Sequence, residues 1–444
     1  MTRREFTATT VVAASALSYS RVLGANDRVS LGFIGLGNRG DQVLEAFLEH
    51  GDSEITALCD LRQDYMDFAG QRAANRGSRT QYKDFRKLLD HKGLNAVVIS
   101  TPDHWHALMT IGACRAGHDV YVEKPLSLTV VEGRKMVEAV RQYKRVCQVG
   151  TQRRSLPWCK EAADRVRAGG IGQVSVADCF NIKNEWPTGI GKPPDSAPPP
   201  DIDYEIWLGP APQTPYNPNR ALYKFRWFWH YSGGQVTNWG VHLMDMVQWS
   251  LGKDAPKAVV AMGGNYAVED NREVPDTARV MWEYEGGTLA GFNQYNGNGA
   301  PVSRGQELEL RGTKGTLYLK SSGFEIEPEA VNEHGWFRRT PLDRETERVW
   351  RAASETRIEP TRVEGPSGTE PHARNFLDCV KSRERCNADV EIGHRSTTGP
   401  LLGNIALRLR AYLEWDAQAE RFTNNEEANR YLHYEYRKPW KLEV

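Results

Sequence analysis

The residues with the clearest chemical pattern stand near the start of the chain. Gly35-Leu36-Gly37-Asn38-Arg39-Gly40 is a G-x-G-x-x-G, and Asp60 follows 20 residues after its third glycine. The first glycine of such a run permits a tight turn, the second lets a pyrophosphate approach the backbone, and the third lets helix and strand pack closely. The pyrophosphate sits on a helix N-terminus, where free N–H groups and the helix dipole favour an anion. Asp60 would accept hydrogen bonds from the adenosine ribose hydroxyls and repel a 2′-phosphate, which points to NAD. Arg62 nearby softens that preference, so NADP stays open. Lys124, in Glu123-Lys124-Pro125, is a second candidate. Burial beside a positive nicotinamide ring lowers a lysine pKa, so it can exchange a proton with a reacting hydroxyl. His104 and His106 form an H-x-H. With no third ligand apparent they are read as cofactor packing and capping rather than as a metal site.

These residues need a scaffold, and the alternation around them supplies one. Strand-like runs at 29–34, 54–59, 95–100, 119–122 and 146–149 alternate with helical periodicity at 41–50, up to Ala116, and at 130–143. The pattern predicts a doubly wound parallel Rossmann sheet over 26–150, with Asp60, Thr101, Lys124 and Thr151 all just past strands and converging on one crevice. Past Gly150 the pattern changes. A helix at 156–168 precedes strand-like runs at 174–182, 258–262, 277–284, 288–295, 307–311 and 316–320. Consecutive strands with tight glycine links predict a C-terminal α/β domain over 151–444 with a large, mainly antiparallel open sheet. Pro-rich 187–201 and charged 328–371 read as irregular excursions, and helices are expected at 372–381 and 397–415.

The set GLGNRG, Asp60, TPDHWHA (101–107), EKP and GTQRR (150–154), with GGQVTNWGVHLMD (233–245), ELRGTKGTLYL (309–319) and HARNFLDCVKSR (372–383), resembles the Gfo/Idh/MocA oxidoreductase family. The resemblance implies that Lys124 lies beside the nicotinamide and takes part in proton transfer. It implies cofactor contacts at Gly35, Leu36, Gly37, Asn38, Arg39, Gly40, Asp60, Thr101, Pro102, His104, His106, Glu123 and Gln152. It also gives His242 the acid–base role on the substrate hydroxyl. Sugar and inositol dehydrogenases of the family commonly carry Asp four residues before that His; here the position is Asn238, which cannot take a proton. A helix starting near 238 would put Asn238 and His242 on one face. Family members use the open sheet to form oligomers, so a homo-dimer or tetramer is expected.

Twelve of the thirteen tryptophans lie after Gly150, the densest aromatic run being Arg226-Trp227-Phe228-Trp229-His230-Tyr231. Flat aromatic faces stack on sugar C–H faces, so Trp229 and His230, with Arg153, are substrate candidates beside Asn238 and His242.

Composition narrows the classes. Lys+Arg and Asp+Glu both number 57, so the formal net charge is zero, which argues against a phosphate-neutralising nucleic-acid binder. Seven cysteines show no CxxC and suggest neither a disulfide scaffold nor structural zinc. No apolar run approaches the roughly 20 residues of a membrane span. Residues 1–25 have a basic start, a short apolar stretch and small residues at the end. Thr2-Arg3-Arg4-Glu5-Phe6 resembles the twin-arginine consensus, which predicts folded export to a periplasmic or extracytoplasmic site. The expected function is an exported NAD-dependent oxidoreductase acting on a sugar, glycoside or polyol with tightly held cofactor. Two alternatives stand beside it: a redox-neutral NAD-dependent glycosidase or lyase working through a transient 3-keto sugar, and a non-catalytic sugar-binding protein.

Overall fold

The structure is a computed structural model that describes residues 28–76, 78–330 and 357–444. The export signal read at 1–25 lies outside the described residues.

Six strands form the first sheet: β1 (Val29–Ile34), β2 (Ser53–Cys59), β3 (Thr80–Tyr82), β4 (Ala96–Ile99), β5 (Asp119–Val122) and β6 (Cys147–Val149). Their order is β3-β2-β1-β4-β5-β6 and every pairing is parallel. β4 and β5 are buried at every residue, as befits central strands covered on both faces. Strand order reverses between β1 and β4, so the loops after them part and leave a crevice at the carboxyl ends. Helix α1 (Asn38–Leu48) follows β1 and α2 (Asp103–Arg115) follows β4.

The second sheet has ten strands: β7 (Val174–Ile182), β8 (Ala258–Gly264), β9 (Thr277–Tyr284), β10 (Thr288–Tyr295), β11 (Leu308–Gly312), β12 (Gly315–Lys320), β13 (Gly323–Pro328), β14 (Thr361–Glu364), β15 (Leu413–Asp416) and β16 (Arg421–Phe422). The order is β14-β13-β12-β11-β7-β10-β9-β8-β15-β16; β7 and β10 run parallel and the other pairs antiparallel. In β9, Ala278, Val280, Trp282 and Tyr284 are buried while Met281 faces out, the period-2 signature of a sheet covered on one side. The covering layer includes α3 (Gly234–Asn238), α4 (Gly240–Leu251) and α6 (Val390–Leu409). A Cβ on Gly403 would stand 2.7 Å from Val280 and 2.9 Å from Trp282, so glycine sets how closely α6 lies on the sheet.

Two expectations need correction. The helix expected at 397–415 begins at Val390 and ends at Leu409; Arg410 turns left-handed (φ 51°) and Trp415 lies in β15. Pro400 is tolerated inside α6, although proline usually marks a helix start or break. The excursion read at 328–371 is not wholly irregular, because β14 extends the sheet edge and α5 (Glu370–Ser382) already starts at Glu370. Residues 331–356 lie outside the described set, and 187–201 form no helix or strand.

The two halves are sewn together from the far end of the chain. Phe376 of α5 meets Phe47 and Tyr121 edge-on at 6.1 and 5.9 Å, inside the core of the cofactor sheet. Trp440 packs on Trp105 at 4.8 Å.

Candidate active site

The turn after β1 has a different steric demand at each glycine. Gly35 has φ 85°, and a Cβ there would lie 2.8 Å from the Ser100 carbonyl. A Cβ on Gly40 would fall 2.1 Å from the Gly35 oxygen, so helix and turn close only on a glycine. A Cβ on Gly37 would meet only Tyr65, at 3.5 Å, and that position faces the crevice. No side chain caps the start of α1, which leaves its first N–H groups to a ligand. Asp60 accepts from Leu36 N at 2.7 Å and from Arg62 N at 2.9 Å, while burial pushes its carboxyl above the usual range. Arg62 pairs with Asp64 and lies 4.5 Å over the Tyr65 ring, so its guanidinium already has partners at the ribose corner.

A cavity of about 340 Å³ runs along this edge, with Gly37, Asp60, Thr101, Pro102, Lys124 and Asn238 on its wall. It therefore joins the cofactor sheet to α3 of the second half. Gly35, Asn38, Arg39 and Glu123 also line it; Leu36, Gly40, His104, His106 and Gln152 do not. Leu36 acts through its N–H on Asp60 and Gly40 through its fit under Gly35. His104 is fully buried among Trp105, Trp207 and Tyr231. It contacts the Trp207 carbonyl at 3.0 Å, and burial pushes it down to about 4. His106 contacts the carbonyls of Pro125 (2.8 Å) and Thr101 (2.9 Å). The H-x-H thus braces the wall from behind, and no group of three metal-ligating side chains exists among the described residues.

Lys124 sits where the two halves meet. Its Nζ donates to the Asn238 carbonyl (3.1 Å) and to Asn238 Oδ1 (3.0 Å), and Asn238 Nδ2 donates to Gln235 Oε1 (3.0 Å). The amide is thereby oriented and neutral. Burial lowers Lys124 to about 8, the positive Arg226 and Arg39 adding to the effect against Glu123. Glu123 is held by Arg39 Nε at 2.8 Å; a Cβ on Gly150 would collide with its carboxyl group at 2.7 Å.

His242 is buried, and Nδ1 has no hydrogen-bond partner. Burial, then the positive charges of Lys124 and Arg153, holds its pKa well below the ordinary imidazole value, so it is neutral. The single helix expected from 238 is instead broken at Trp239. Asn238 ends α3 and His242 lies in the first turn of α4. The break frees the Asn238 carbonyl for Lys124. α4 is anchored by Asp245, which accepts from Arg154 Nε at 2.8 Å and from Ser396 Oγ at 2.5 Å.

The substrate-side candidates are not all brought together. Arg153 is ion-paired with Glu307 and stands 5.8 Å from the Trp239 ring, its Nη1 buried and unpartnered. Trp229 and His230 do not line the crevice; they line a second cavity beyond Ser232. Their run turns at Phe228, which points into the core beside Trp227 and Tyr231. Sequence reading did not single out Asn181 and Asn296, and neither lines the crevice. Both are buried, with Asn181 Oδ1 and Asn296 Nδ2 unpartnered. Asn181 is the register partner of Gln294, and Gln294 Nε2 reaches Asn296 Oδ1 at 2.6 Å. Asn181 stands on the inward side of β7, in step with Cys179, and Asn296 lies one residue past the end of β10, in step with Phe292; a Cβ on Gly240 of α4 would touch Phe292 at 3.6 Å. Polar residues at inward positions of strands were the available signal, since buried polar atoms normally find partners.

Residues 29–151 match the NAD-binding Rossmann-fold domain of an oxidoreductase family, Gfo/Idh/MocA, and residues 171–290 and 359–442 match its C-terminal alpha/beta domain. The rhizopine catabolism protein MocA of Rhizobium meliloti is 25% identical over 262 residues, 59% of this chain and 69% of that protein. A glycosyl hydrolase family 109 protein of Shewanella sp. (strain W3-18-1) is 36% identical over 129 residues; the match spans 28% of each chain. Levoglucosan dehydrogenase, solved with NADH and levoglucosan, superposes with a TM-score of 0.64 at 16% identity, covering 87% of this chain and 99% of that one. That last likeness is one of fold.

Proposed function

The chain belongs to the Gfo/Idh/MocA oxidoreductase family, with its NAD-binding Rossmann domain, and from that premise we propose that it oxidises or reduces a CH–OH group of a sugar, glycoside or polyol. The observation that carries the proposal is the junction of Lys124 and Asn238. An amine whose pKa burial lowers to about 8 is fixed at the point where the cofactor crevice opens toward the second half. The glycine turn, the uncapped α1 and Asp60 fit a dinucleotide, NAD in preference to NADP because Asp60 repels a 2′-phosphate and Arg62 is already engaged. Bound NAD⁺ would supply the hydride acceptor.

The chain's own work is to bind, orient and move a proton. Two Lys124 donors are held by Asn238, which aims the amine. Unprotonated above about pH 8, Lys124 takes the hydroxyl proton in the oxidative direction; protonated, it returns one in reduction. His242 is neutral and offers an acceptor at unpartnered Nδ1.

The second reading, a redox-neutral glycosidase, is favoured by the family 109 similarity and by neutral His242, a base suited to removing a C2 proton acidified by a transient ketone. We further propose twin-arginine export with NAD loaded beforehand, on the strength of Thr2-Arg3-Arg4-Glu5-Phe6, and oligomerisation through the bare sheet face, where Met262, Met281 and Leu289 are exposed.

The test is a sugar and glycoside panel on cofactor-loaded protein, preceded by assay of NAD released on unfolding. Cofactor reduction without bond cleavage supports the oxidoreductase. Aglycone release without net reduction supports the glycosidase. Sugar binding without either chemistry leaves a binding protein, and a protein unable to bind NAD or NADP overturns the proposal.

A further inference from the structure

The second cavity, about 370 Å³, lies within the roughly 300–1,000 Å³ range of small-molecule sites. It shares only Ser232 with the wall of the cofactor crevice. Arg408 and Arg430 line it, neither in an ion pair among the described residues, and none of its lining residues is Asp or Glu. The Arg408 guanidinium lies over two aromatic rings of the same wall, Trp229 at 5.4 Å and Tyr431 at 4.6 Å. Asn404, also on the wall, is only 6% exposed; its Nδ2 donates to the Gly233 carbonyl at 2.8 Å, and its Oδ1 has no partner. A Cβ on Gly233 would lie 2.3 Å from that Nδ2, so the asparagine is tightly seated. A buried carbonyl oxygen without a donor costs free energy unless a ligand or water supplies one.

We infer that this cavity is a second ligand site for a polyhydroxylated ring bearing an anionic group, a sugar acid or a sugar phosphate. The anion meets Arg408 and Arg430, pre-oriented forks suited to carboxylate and phosphate oxygens. A ring hydroxyl donates to Asn404 Oδ1, and the carbon face packs on Trp229 and Ile405. A chain with zero formal charge overall thus places two arginines without a carboxylate partner among the described residues at this mouth, which favours an anionic ligand there.

The experiment titrates NAD⁺-saturated protein calorimetrically with glucuronate, glucose 6-phosphate, glucose and inorganic phosphate. It is repeated on the double variant Arg408→Gln, Arg430→Gln, whose exposed side chains can change without touching a core. We expect at least one of the two anionic sugars to bind about tenfold or more tighter than glucose, and the double variant to lose about that factor while NAD⁺ affinity is unchanged. Whichever anionic sugar binds tighter assigns the carboxylate or the phosphate as the source of charge. Glucose binding as well as both, unaltered binding in the variant, inorganic phosphate matching glucose 6-phosphate, or no binding by any of the four would overturn the inference.

Discussion

The two walls of the crevice are built on different principles. The cofactor wall is made of backbone: three glycines, an uncapped helix start and the ends of parallel strands. The opposite wall is made of side chains, Asn238 of α3 together with Trp207, Leu222, Tyr223, Phe225, Arg226 and Ser232 from the segments before it. Backbone walls are fixed by sterics and tolerate little change. Side-chain walls are fixed by packing and can be rewritten by single substitutions.

The sharpest division comes from Lys124→Ala. We expect turnover to fall about 10²–10⁴-fold with NAD⁺ affinity retained, because the amine lies on the seam and the dinucleotide is held by backbone. Steady-state kinetics beside cofactor titration reads both, and normal turnover would remove its role. The converse is Gly40→Ala. Its Cβ falls on the Gly35 oxygen, so stability should drop by about 1–3 kcal/mol and NAD⁺ binding weaken with it, seen in thermal melts with and without cofactor.

Asn238→Asp tests the coupling between the walls. In the wild type burial depresses Lys124, so oxidative kcat/KM should rise as pH increases through about 8. A carboxylate 3.0 Å from Nζ stabilises the ammonium and should carry that midpoint upward by about 1–3 units, and an unmoved profile would show that Lys124 is not the titrating group. The smallest effect is expected from Trp229→Ala. Oxidation of a neutral sugar should change by less than about twofold, because Trp229 lines the other cavity.

The backbone wall was legible in the sequence because its requirements are local. G-x-G-x-x-G, the strand ends and Asp60 fall where spacing alone puts them, and β7, β9 and β10 begin and end at the predicted residues. The side-chain wall was legible in part. Lys124 and Asn238 meet, but the break at Trp239 that frees the Asn238 carbonyl depends on tertiary packing that helical periodicity does not encode. The buried amide of Asn181 escaped because its place beside Gln294 requires the parallel register of β7 on β10, strands more than a hundred residues apart. Trp229 and His230 fall in the second cavity rather than the crevice, because an aromatic run gives no hint of which side of Ser232 it faces.

The stitching of α5 and Trp440 into the first sheet has a consequence in time. During synthesis the cofactor sheet emerges before the second sheet, yet the core beside Phe47 and Tyr121 stays open until Phe376 arrives, about 250 residues after Tyr121. The earliest-made half is therefore finished last. A nascent chain holds its dinucleotide turn long before it holds a closed sheet, and a ribosome stalled short of residue 370 would carry an exposed greasy seam in place of an enzyme.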